Sequence, residues 1–159
     1  MNPIQRVSHV GLCVSELETA RRFYVDALGF REESRLHVAG EPSDSLLGLD
    51  GTDLRAIYLE RDGFRLELLY FASPATLEGP RPRAMNQLGF THLSLRVADL
   101  DEAVARALAA GGRLLEETKI GIPARGAAAA FVLDPDGTRV ELVQAPGDPA
   151  QPPTAGKPS

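Results

Sequence analysis

The chain has 159 residues, 43% hydrophobic and 25% charged, with a net charge of −5. That length suits one sizeable domain or two small fused modules, and the acidic balance, with no basic run, argues against a nucleic-acid partner. No apolar run approaches the ~20 residues that span a bilayer, no signal-peptide pattern opens the chain, and the single cysteine, Cys13, cannot close an internal disulfide; a cytoplasmic setting without membrane contact is expected.

In chain order, alternation predicts a first strand over residues 6–14, with Val7, His9, Gly11 and Cys13 on one face and Val10, Leu12 and Val14 on the other. Ser15 and Glu18 read as a capping box opening a helix to about residue 28. Its apolar stripe is Leu17, Ala20, Phe23, Tyr24, Ala27 and Leu28, and Gly29 ends it. Strands follow over 30–38 and 53–60, separated by a glycine-rich loop over 40–51. Asp62-Gly63 then turns the chain into a strand with Arg65, Glu67 and Leu69 on one face and Phe64, Leu66, Leu68 and Tyr70 on the other. His37 reads as a loop-edge residue, and Cys13 as a small buried thiol.

Residues 72–88 carry three prolines and no period, which marks a linker between a first module over about 4–71 and a second over about 89–145. The second module restarts the same order. A strand over 90–97 places His92, Ser94 and Arg96 opposite Leu93, Leu95 and Val97. Asp99 and Glu102 cap a helix with the stripe Leu100, Val104, Ala107 and Leu108, ended by Gly111-Gly112. Strands are predicted over 113–118 and 127–133, then a last one carrying Arg139, Glu141 and Val143 on one face. Residues 146–159, rich in Pro, Gly and Ala, are expected to be a disordered tail.

The restart is a true repeat. Residues 136–142 match residues 62–68 at five of seven positions, offset by 74, while His9 matches His92 at an offset of 83. The nine extra residues of the first module are placed in the 40–51 loop. A duplication of this size means two like units sharing one site. Each unit offers one imidazole and one carboxylate at matching positions, with an arginine (Arg65, Arg139) beside each carboxylate as either a salt-bridge partner or an anion anchor.

Two tandem βαβββ modules, each with a His on its first strand and a Glu on its last, and with Asp134-Pro135-Asp136-Gly137 before the final strand, resemble the vicinal oxygen chelate superfamily. That group includes glyoxalase I, methylmalonyl-CoA epimerase, extradiol dioxygenases and the bleomycin- and fosfomycin-resistance proteins. The resemblance implies an α+β fold, a cupped mixed β-sheet with helices on its convex side. It implies a divalent ion (Zn, Ni, Co, Mn or Fe(II)) held by His9, Glu67, His92 and Glu141, a donor set that suits such ions. A small-molecule substrate with adjacent oxygens and a homodimer are implied as well, the modules of one cup coming from one chain or from two.

The His, Glu, His, Glu set most resembles glyoxalase I and the epimerases. The implied activity is a lyase or isomerase reaction in which Glu141 or Glu67 moves a proton beside a carbonyl while the ion chelates the enediolate. An Fe(II) extradiol dioxygenase, needing only His9, His92 and Glu141, and a non-catalytic binding protein like the bleomycin sequesterers are the alternatives. One departure stands out: bacterial glyoxalases carry an Arg four residues after the first His, where this chain has Cys13. Arg96 stands four after the second His, and glutathione as co-substrate stays open.

Overall fold

The computed structural model describes residues 3–77 and 84–151. They form two compact units divided between residues 81 and 82, each a mixed sheet with one principal helix, so the fold is α+β.

In the first unit the order is β1 (Val10–Cys13), α1 (Leu17–Arg22), β2 (Arg31–Ala39), α2 (Ser43–Leu47), β3 (Asp53–Arg61) and β4 (Phe64–Ser73). The sheet runs β1-β4-β3-β2, with β1 parallel to β4 and the other pairs antiparallel. At the β3–β4 turn Asp62 and Gly63 both have positive φ, 53° and 79°, the type I′ geometry that Asp-Gly favours. Helix α1 continues through a π-helical turn, Phe23–Ala27, and Gly29 leaves it at φ +73°. The Arg61 guanidinium donates to the freed Leu28 carbonyl. Ala20, Phe23 and Tyr24 on this helix are buried, as are Ile57, Leu59, Leu66 and Leu68 on β3 and β4. Strand alternation therefore turns Tyr58 and Glu67, paired with each other across β3 and β4, to the opposite face.

The second unit contains β5 (Leu93–Arg96), α3 (Leu100–Ala109), β6 (Arg113–Leu114), β7 (Ile120–Ile122), β8 (Ala127–Leu133) and β9 (Arg139–Gln144). Its order is β5-β9-β8-β6, with β7 also pairing to β8. Asp99 caps α3 as expected, its Oδ1 accepting from the Glu102 amide at 2.9 Å. The buried stripe is Leu100, Val104 and Ala107. Buried Asp134 shapes the entry to β9, its Oδ1 accepting from the Asp136 and Thr138 amides at 3.0 and 2.7 Å.

Several local expectations need correction. Helix α1 is capped by Glu16 rather than Ser15, because the longer carboxylate reaches the Glu18 and Thr19 amides at 3.2 and 2.7 Å. Leu108 is 45% exposed and lies off the α3 stripe. Strand β1 is confined to the four residues that find partners on β4, so His9 sits just ahead of it. The 40–51 stretch holds a short helix rather than only loop, closed where Asp44 accepts from the Gly51 and Thr52 amides. The strand expected over 113–118 stops after two residues at a 3₁₀ turn, Glu116–Thr118. There Thr118 donates to the Leu115 carbonyl and accepts from the Phe131 amide. Strand β7 was not expected. Cys13 is exposed, not a buried thiol. Of the expected linker, residues 78–83 lie outside the described residues, as do residues 152–159 of the expected tail. Among the described residues no helix is long and apolar enough to cross a membrane.

Candidate metal and proton-transfer site

Parallel pairing of the first strand of each unit with its last brings each histidine to its carboxylate. Gly11 lies opposite Glu67 and Ser94 opposite Glu141, so the residue two before each reaches along the same face. His9 Nε2 stands 3.1 Å from Glu67 Oε2, and His92 Nε2 3.6 Å from Glu141 Oε2. The four residues predicted from the sequence thus form two matched pairs, one in each unit. Within each unit no third His, Cys, Asp or Glu side chain joins its pair to make a metal-binding group among the described residues.

Both histidines are oriented in the same way. Ser8 Oγ lies 3.0 Å from His9 Nδ1, and Thr91 Oγ1 2.9 Å from His92 Nδ1. A hydroxyl on Nδ1 leaves Nε2 as the ring atom that meets the carboxylate, and where that hydroxyl accepts from Nδ1–H, Nε2 presents its lone pair. A lone pair and a carboxylate oxygen facing each other at 3.1 Å repel unless a cation or proton lies between them. Two donors on bonds of about 2.1 Å at right angles stand about 3 Å apart. The donor chemistry and the spacing therefore fit a divalent ion. An aromatic ring fixes each imidazole plane from β3 or β8: Tyr58 meets His9 edge-on at 5.4 Å, and Phe131 meets His92 at 5.3 Å.

The two carboxylates differ in their surroundings. Glu67 is 7% exposed and accepts the Tyr58 phenol. That hydrogen bond, with burial behind it, pushes the Tyr58 phenol up to about 12. Phe131 pairs with Glu141 as Tyr58 pairs with Glu67 but carries no hydroxyl, and Glu141 instead accepts from Ser94 Oγ at 2.6 Å. In the first unit Gly11 holds the place of Ser94, where an added Cβ would lie 3.1 Å from a Leu69 methyl. Glu141 is also more open, with 28% of its side chain exposed against 10% for Glu67.

The arginines separate as well. Arg65 Nε donates to Glu33 at 2.6 Å, whereas the Arg139 side chain takes part in no hydrogen bond or ion pair among the described residues. Arg96 donates to the carbonyls of Ala145, Pro146 and Gln151 at 2.7, 3.3 and 3.4 Å. It serves the stretch that follows β9 rather than offering a free guanidinium. His37 pairs with Asp53 at 2.9 Å, away from both His–Glu pairs.

Tyr58, Ser94, Ser8 and Thr91 were not singled out from the sequence. The hydroxyl-then-histidine dipeptide recurs at the 83-residue offset and was visible there. Tyr58 and Phe131 were hidden because their partners depend on hairpin register.

A family model described as the Glyoxalase/Bleomycin resistance protein/Dioxygenase superfamily matches residues 6–142. No curated protein matches the sequence. Among solved structures, a glyoxalase family protein from Bacillus cereus is 25% identical, covering 92% of this chain and 97% of its own, with a TM-score of 0.79. The trypanothione-dependent glyoxalase I of Leishmania major is 21% identical, covering 89% and 87%, with a TM-score of 0.62. A fosfomycin resistance protein from Listeria monocytogenes, solved with Mn(II) and sulfate, is 16% identical, covering 90% and 94%, with a TM-score of 0.59.

Proposed function

The chain belongs to the glyoxalase/bleomycin resistance protein/dioxygenase superfamily, and on that premise we propose that it is a metal-dependent lyase or isomerase of the glyoxalase I and epimerase type. His9, Glu67, His92 and Glu141 are the proposed ligands of one divalent ion, and the substrate is a small molecule with adjacent oxygens. The observation that carries this reading is the pair built twice, an imidazole Nε2 beside a carboxylate with a hydroxyl on Nδ1. When bound, the ion supplies Lewis-acid polarisation of a substrate carbonyl.

The remaining roles fall to the chain itself. His9 and His92 hold and orient, each steered by its neighbouring hydroxyl. Glu67, buried and tied to Tyr58, is a fixed donor. Glu141, the more exposed carboxylate, is the proton carrier: it takes the proton from the carbon beside the carbonyl, and the same oxygen returns it at the neighbouring position. Ser94 keeps that carboxylate aimed while it is charged. An extradiol dioxygenase set has no use for an acid at position 67, so the close approach of Glu67 to His9 favours the four-donor reading. Retention of both pairs weighs against a ligand-free binding protein. A homodimer and a cytoplasmic location belong to the same proposal.

The decisive experiment is metal analysis of protein purified without added ions. About one divalent ion per chain-equivalent of two modules is expected, and His92→Ala should lose it. Full occupancy in that variant would remove the centre of the proposal.

A further inference from the structure

The two units carry the same Arg-x-Glu strand, yet they treat the arginine differently. In β4, Arg65 lies opposite Glu60 in the register and donates to Glu33 at 2.6 Å, while Arg31 ties Glu33 and Glu60 together at 3.5 and 3.1 Å. This first guanidinium is neutralised by its own sheet. In β9, Arg139 lies opposite Leu133 instead of an acid, and its side chain has no hydrogen-bond or ion-pair partner among the described residues. It is also half-buried, on the same face as Glu141 and two residues from it. A guanidinium that has given up part of its hydration without gaining a partner attracts an anion more strongly than one in open water. Its planar fork also suits two oxygens at once.

We propose that Arg139 is an anion-recognition residue, and that the ligand of this site carries an anionic oxygen group, carboxylate or phosphate-like, beside its adjacent oxygens. This deepens the proposed function and rests on it for the place of the chelating oxygens, but the anion contact itself needs only Arg139. The orientation follows from the strand. Chelating oxygens engage next to Glu141, and the charged group extends one pleat along β9 toward Arg139. Arg65 offers no second such contact because Glu33 already fills its fork.

Two experiments separate this inference from the reading it extends. In metal-free protein, the Arg139 side-chain Nε resonance is followed by NMR during titration with malonate, inorganic phosphate and the neutral malonamide. The two anions are expected to move that resonance, the stronger of them identifying the preferred anionic group, while malonamide leaves it in place. No movement with either anion would overturn the proposal whatever the metal does. In metal-loaded protein, calorimetry compares acetohydroxamate, a neutral chelator, with malonohydroxamate and phosphonoacetohydroxamate, which add an anionic arm. Roughly tenfold tighter binding of at least one anionic chelator is expected, as for a charge-assisted hydrogen-bonded pair. Arg139→Met should abolish that preference and leave acetohydroxamate unchanged, Arg139→Lys should recover part of it, and Arg65→Met should retain it. A preference that survives Arg139→Met refutes the assignment. Failure of acetohydroxamate itself to bind the loaded protein counts against the metal-site reading, with the metal-free titration still deciding the role of Arg139.

Discussion

Replacing Tyr58 with Phe deletes one oxygen and leaves the ring that meets His9 edge-on at 5.4 Å. What is lost is the phenol donated to Glu67, a carboxylate only 7% exposed. A hydrogen bond to a charged group contributes about 1.5–3 kcal/mol. The phenol is pushed up from 10 to about 12, first by that hydrogen bond and next by burial. At about 1.4 kcal/mol per unit the whole shift corresponds to about 3 kcal/mol. Because burial supplies part of it, the variant should lose about 2 kcal/mol in the metal-free protein at neutral pH. The pH dependence has a definite sign. A raised phenol pKa means the fold favours the neutral form, so the contribution is complete below pH 10 and fades between 10 and about 12. Urea unfolding of both proteins across that range should show the gap closing as pH rises. Absorbance titration should show a late-titrating tyrosine contribution that is missing from Tyr58→Phe. Equal stability of the two proteins at pH 7, or a difference between their titration curves that lies in the ordinary phenol range, would refute the clamp on Glu67.

Other outcomes follow from the same geometry. Glu141→Gln should keep its ion and its ligand but lose solvent-proton exchange at the carbon beside the carbonyl by 10²-fold or more, about the contribution of a general base; Glu67→Gln should weaken metal retention instead. Mass spectrometry of deuterium uptake and metal analysis distinguish the two, and full turnover in both variants would end the proton-transfer reading. Glu32, held down to about 2 by hydrogen bonds from Arg35 and then Arg21, contributes stability above its ordinary range and loses it as pH falls from 4.5 through about 2. Glu32→Gln should therefore cost about 1 kcal/mol at pH 7, with the difference closing in acid, as measured by denaturant unfolding.

Much of this architecture is legible in the sequence because the residues that set it are locally distinctive. Asp62-Gly63 demands a tight hairpin, Asp99 with Glu102 demands a helix start, and the recurrence of His9 and Glu67 as His92 and Glu141 marks matched positions. The two pairs were legible for that reason. What distinguishes one pair from the other was not, because it lies in register rather than in sequence neighbours. Tyr58 meets Glu67 across a hairpin, and Ser94 meets Glu141, 47 residues away in sequence, across a parallel pairing. Strand β7 is three residues of Ile-Gly-Ile, too short for a period and defined only by its hydrogen bonds to β8. The cap at Glu16 is not legible in the sequence because Ser15 is the better N-cap by type, whereas in the fold the longer side chain reaches the amides.

The grip of Arg96 on the Ala145, Pro146 and Gln151 carbonyls makes the stretch after β9 a latch on charge. As long as those acceptors are in place, the guanidinium is occupied by peptide dipoles. A protease cut after Gln144, the last residue of β9, would unlatch it, two residues along β5 from Ser94 and on the same side of that strand. The shortened protein would then present a second unmatched cation on the sheet face that carries Arg139, level with Val143 in β9, and its selectivity among small anions would change although no residue of either His–Glu pair had been touched. The boundary chosen for any trimmed form of this chain is therefore a chemical variable, and a form meant to preserve ligand preference has to extend through Gln151.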